Sequence, residues 1–127
     1  MRPLLLRDEL PPDDTVVVVR GGEMKSEYVR SSAQDAFFAV GVFAVSVALS
    51  LDLPVEQLCA TDRRIARYGK VRLSTVGRLR ELGFALLPTL DRPHYDVVLP
   101  DLEEATLDRL ELAFDLAIPR PGSLGRS

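Results

Sequence analysis

The 127-residue chain predicts an α+β fold, a single domain over residues 1–120 in which helices pack on a mixed sheet of four to five strands. Three observations carry that expectation. Val16-Val17-Val18-Val19 is an unbroken β-branched run, closed by Gly21-Gly22, of the kind a strand buried on both faces requires. Helical patterns separate further short apolar runs, so strands and helices alternate along much of the chain. The last two runs, Phe84 to Leu87 and Tyr95 to Leu99, lie close enough to pair as a hairpin.

The first strand follows Pro11-Pro12-Asp13-Asp14 and spans Thr15 to Arg20. Ser31 and Ser32 are capping residues, which starts a helix near Ala33 with Ala36, Phe37 and Val40 turned inward and Gly41 at its end. Val42 to Leu49 is then a second buried strand. One continuous helix over 33–51 is the alternative, disfavoured by its β-branched second half and central glycine. Asp52 and Pro54 open a helix that carries Val55, Leu58 and Cys59 inward and reaches Arg67 before Gly69. Lys70 to Leu73 is a short strand, Ser74 or Thr75 caps a helix through Leu82, and Gly83 stops it. After the hairpin, Pro100-Asp101 opens a last helix with Leu102, Leu107, Leu110 and Phe114 inward, stopped by Pro119. Residues 121–127 are small and polar, a flexible tail.

Composition narrows the functional classes. Sixteen Lys and Arg against nineteen Asp and Glu give a net charge of −3, so no whole-molecule field draws the protein to DNA or to an anionic membrane. The uncharged stretch Ala36 to Leu51 is shorter than the ~20 residues a spanning helix needs, and it is assigned to a soluble core. The N-terminal apolar run is too short for a signal peptide, and a single cysteine, Cys59, excludes an intramolecular disulfide. A cytoplasmic protein with no membrane partner is the expectation.

Charge is nevertheless segregated. Arg63, Arg64, Arg67, Lys70, Arg72, Arg78 and Arg80 face a single carboxylate, Asp62, over one short stretch. Such a basic segment suits RNA or a nucleotide, or an acidic protein partner; solvated arginines paired with Asp101, Glu103, Glu104, Asp108 and Glu111 are the plainer alternative. Only Tyr68 lies within it to stack on a base. Thr75 to Gly83 has the look of a recognition helix, but the extended 70–73 stretch before it denies the tight helix-turn-helix unit.

His94 is the only histidine and the only side chain here that exchanges protons near neutral pH at its ordinary pKa. It follows Asp91-Arg92-Pro93, where a turn meets a strand. A hydrogen-bonded, partly buried turn residue is one reading. The other makes it a general acid or base, with Arg20 and Arg92 stabilising phosphate charge, Tyr95 orienting the substrate, and Arg64, Arg67, Arg72, Ser74 and Thr75 binding it. Metal-independent RNA cleavage needs such a set, with Tyr95, Tyr68 or Asp96 supplying the second proton-transfer role. One His and one Cys cannot assemble a structural zinc site, and the spacing of Asp91 and Asp96 is not diagnostic of Mg²⁺. No metal and no cofactor is expected on this reading.

Arg20 ends the first strand, Ser74-Thr75 ends a middle strand, and Glu103-Glu104 follows the last. This arrangement resembles the arginine, serine and glutamate set of the ADP-ribosyltransferases, without that family's fuller Ser-Thr-Ser strand. The resemblance implies NAD as co-substrate, Arg20 and Ser74 holding it and Glu103 or Glu104 directing transfer. Acidic residues in the first turn of a helix also stabilise it by ~0.3 to 1 kcal/mol without any catalytic role. A toxin- or effector-like protein acting on RNA through His94 and arginines is therefore the leading expectation. An ADP-ribosyltransferase-like enzyme and a non-catalytic antitoxin, immunity or adaptor module are the alternatives. Oligomeric state is not encoded in any pattern of this chain.

Overall fold

The computed structural model describes residues 11–21, 24–89 and 93–121. Strand β1 (Val16–Arg20) rises from a turn in which the Thr15 amide donates to the Pro12 carbonyl, and Gly21, at φ 90°, ends it. Helix α1 (Ser26–Val40) begins well before the expected start near Ala33, leaving Ser31 and Ser32 exposed inside it. Packing of an apolar stripe outweighs capping preference here: Met24, Val29 and Ala33 bury together against the sheet, and Lys25 caps the helix through its carbonyl alone. Gly41 ends α1 as expected, in the left-handed region that glycine adopts without strain.

Strand β2 (Ala44–Leu49) excludes the single long helix. The next helix is broken in two. Helix α2 (Val55–Thr61) stops at Asp62, whose extended backbone and side chain start α3 (Arg63–Ala66) by accepting from the Arg64 amide at 2.9 Å. Strand β3 (Lys70–Thr75) leads directly into α4 (Val76–Glu81), capped by the Thr75 hydroxyl and stopped at Gly83. Strands β4 (Ala85–Pro88) and β5 (His94–Val98) form the expected hairpin. Helix α5 (Glu104–Leu112) follows, and β6 (Ile118–Pro119), which no sequence pattern announces, closes the described chain. Of the expected tail at 121–127, residues 122–127 lie outside the described residues.

The sheet has six strands in the order β4-β5-β2-β1-β3-β6, and every neighbouring pair is antiparallel rather than mixed. Helices cover both faces. On one, Val17, Val19, Val47, Leu49, Tyr95 and Val97 pack with α1, α4 and α5; on the other, Val18, Ala48 and Val71 pack with Leu58, Cys59 and Ile65 of α2 and α3. Alternation along β1 thus feeds two cores at once, which is why its sequence is apolar throughout. Burial in the smaller core pushes the Cys59 thiol above its ordinary pKa.

Two features depart from the expected core. Phe37 is 42 % exposed, one face of its ring stacked on Phe43 at 4.9 Å between centroids. Val47 is buried, Val45 half-buried, and the Val40 side chain lies outside the description. The second feature is a defect in the sheet. β1 pairs with β3 along its whole length, from Val16 opposite Thr75 to Arg20 opposite Val71, but with β2 only at Val17–Leu49 and Val18–Ala48. The same register would set Val19 against Val47 and Arg20 against Ser46, but the ladder stops after Val18, leaving a notch between two central strands.

Candidate functional site

A cleft opens on the α2/α3 face of this notch, with Arg20, Ser46, Asp62, Arg64 and His94 among the residues that line it. Its volume of about 20 Å³ is room for about one water-sized group. Arg20 reaches it from the end of β1 and is exposed, its guanidinium 5.7 Å from the centre of the Tyr68 ring. Arg64 reaches it from the first turn of α3, held there by the Asp62 cap. His94, the first residue of β5, lies opposite Ala48 of β2 and forms part of the floor.

His94 is buried and belongs to a polar chain running under the cleft. The Thr89 hydroxyl donates its one proton to Asp96 Oδ2 at 2.8 Å, so it can only accept from His94 Nδ1 at 2.9 Å. The Thr89 carbonyl also accepts from Nδ1, at 3.1 Å. The proton of the neutral ring therefore sits on Nδ1 and the lone pair on Nε2, which is 3.9 Å from Asp96 Oδ1. Ser46 donates a long bond to that same oxygen at 3.4 Å. Burial lowers the His94 pKa below its ordinary 6.5, and the Arg64 charge acts in the same sense, against the opposing pull of Asp96, the Thr89 carbonyl and Asp62. The ring is neutral at pH 7.

Other candidates separate from this group. Tyr95 follows His94 in an extended strand, so its side chain points to the opposite face, where it is fully buried in the larger core; it orients nothing at the cleft. Arg72 and Ser74 share that opposite face and serve α5. Buried Arg72 donates to the carbonyls of Asp115, Glu111 and Phe114 at 2.8, 3.2 and 3.2 Å, and Ser74 Oγ to that of Ala113 at 2.6 Å. Thr75 is the cap of α4, accepting from the Arg78 amide. Arg78 pairs with Asp115 and Arg80 with Asp13, each at 2.7 Å. The basic segment is therefore no single patch: alternation in β3 divides it, and Arg63, Arg64, Arg67 and Lys70 are left exposed. Arg92 and Asp91 lie outside the described residues.

The transferase set does not assemble. Ser74 meets the end of α5 at Ala113, whereas Glu103 and Glu104 stand at its start, roughly 13 Å away along a nine-residue helix. Arg20 is on the other face of the sheet from Ser74. Glu104 instead faces Arg30, at 3.6 Å, and Ser26, at 3.5 Å, and Glu103 takes the N-cap position.

Sequence reasoning missed Ser46, Asp62 and Thr89. Asp96 was legible, since two residues along a strand from His94 it must share that face. Among the described residues no group of three or more His, Cys, Asp or Glu side chains gathers to hold a metal ion, and no helix is long and apolar enough to cross a membrane. Comparison with protein-family models, curated proteins and solved structures gives no match.

Proposed function

We propose that the protein binds an RNA strand through its phosphates, with the guanidiniums of Arg20 and Arg64 holding phosphate oxygens at the mouth of the cleft above His94. The convergence of these two arginines on one cleft carries the reading. Both are outside any ion pair among the described residues, and guanidiniums are suited to forked hydrogen bonding of phosphate oxygens. Exposed Arg63, which lines a neighbouring concavity together with Asp62 and Arg64, extends the cationic surface on the α3 side. The cleft is too small for a base, so recognition here is of backbone and independent of sequence.

A cleavage activity rests on His94. Its neutral ring, with Nδ1–H fixed on Thr89, has Nε2 as its basic atom, the state a general base needs. Tyr95 is removed as its partner in proton transfer, which makes binding the stronger reading and cleavage the second.

Retention of a fluorescent RNA at low salt, followed through a salt titration, tests binding. Arg20→Ala and Arg64→Ala should each weaken it and flatten the slope of log K against log salt by roughly 0.7 to 0.9. His94→Gln should leave affinity unchanged and, where the wild type cleaves the strand, reduce cleavage by ~10² to 10⁴ fold. Wild-type protein that fails to retain RNA at low salt overturns the proposal and leaves a protein-partner module in its place.

A further inference from the structure

On the other side of the notch the same two residues, Arg20 and Ser46, line a second and much larger concavity between α1 and the splayed ends of β1 and β2. Its volume of about 570 Å³ lies within the ~300 to 1,000 Å³ typical of small-molecule sites. Met24, Ala36 and Val45 make its base apolar, and Tyr28 and Tyr68 stand on its walls, 57 % and 36 % exposed. A cation sits over each ring, Lys25 Nζ at 5.9 Å from the Tyr28 centroid and Arg20 Cζ at 5.7 Å from that of Tyr68. Asp35 and Ser32 add hydrogen-bonding groups on the α1 side.

This distribution is ordered in charge. Cations lie where the groove meets the notch and beside the aromatic rings, while the Asp35 carboxylate repels a phosphate from the α1 wall and accepts hydrogen bonds from amino or imino groups. An apolar floor with exposed aromatic faces and a carboxylate suits a flat, hydrogen-bond-donating heteroaromatic ring whose attached phosphate stays on the arginine side. We propose that the groove receives an unpaired base of the strand whose phosphate Arg20 and Arg64 hold, so that the substrate class is single-stranded nucleic acid. The inference rests on the phosphate-binding reading above and adds to it a reason for strand selectivity: a base in a duplex is stacked and paired, and cannot enter.

The test compares a short labelled RNA strand, the same strand annealed to its complement, a DNA strand of the same sequence, and inorganic polyphosphate, each titrated against the full chain. The RNA strand should bind about tenfold or more tighter than the duplex. Tyr28→Ala and Tyr68→Ala should each weaken it by about 5- to 150-fold, the usual worth of one stacked base, while leaving duplex and polyphosphate binding unchanged. Tyr28→Phe and Tyr68→Phe, which keep the ring, should restore it. Equal binding of the DNA strand, or preference for RNA, both support a stacked base and assign whether the sugar is read. Equal affinity for strand and duplex, or tyrosine variants without effect, overturns the inference while phosphate binding stands. Absence of binding to every probe, polyphosphate included, overturns both, and concentration-dependent self-association lost in the tyrosine variants would give the groove to a second copy.

Discussion

Replacing Arg72 by Ala removes a buried guanidinium that serves three carbonyls at the end of α5. The bond to Phe114 is fully buried, so that carbonyl stays dry and its loss costs ~1 to 3 kcal/mol. The carbonyls of Glu111 and Asp115 are reached in part by solvent and can rehydrate, at ~0.5 to 1.5 kcal/mol each. Loss of a cation from a helix C-terminus adds ~0.3 to 1 kcal/mol. A destabilisation of about 4 kcal/mol follows, which for a domain of this size lowers Tm by roughly 10 °C or more. Urea unfolding followed by circular dichroism measures it as a fall in midpoint with an unchanged m value. RNA affinity of the folded variant should match wild type, because the side chain lies on the face away from the cleft. A variant whose stability stays within ~0.5 kcal/mol of wild type while its RNA affinity falls would refute this reasoning and make Arg72 a binding residue.

Three further outcomes are expected. Phe37→Ala should cost about 1 to 2 kcal/mol, the sum of half a buried ring and its stack on Phe43, whereas Phe38→Ala, 80 % exposed, should stay within ~0.5 kcal/mol; paired denaturation curves decide. Gly77→Ala should destabilise α4 despite alanine's helix preference of ~1 kcal/mol, because the new Cβ would come within 2.9 Å of Asp13 Cβ and 3.2 Å of its carbonyl oxygen, which accepts from the Gly77 amide; a raised Tm would contradict the packing. The lowered pKa of His94 makes the unfolded chain take up its proton first as pH falls, so this group's stabilisation is complete above pH 6.5 and is lost as pH drops through the folded value. His94→Gln should remove that slope, measured from pH 6.5 down to the carboxylate range near ~4.3.

What the chain determined alone is local. The β-branched run of β1, a cap at Ser74 or Thr75, the stops at Gly41 and Gly83 and the β4–β5 hairpin all follow from backbone preferences acting over a few residues, and they suffice for the α+β class. The face that each strand residue takes depends on register, and register depends on partners far away: Ser46 reaches Asp96 fifty residues on, and Arg72 reaches Phe114 forty-two on. Only tertiary structure could therefore split the basic segment, bury Arg72 under α5, and turn Tyr95 away from His94. It also moved the start of α1, since packing of Met24, Val29 and Ala33 outweighs the weaker capping preference of Ser31 and Ser32. The notch that gathers Arg20, Arg64 and His94 is the clearest case, because it arises where β1 and β2 cease to pair, and no residue in either strand announces that end.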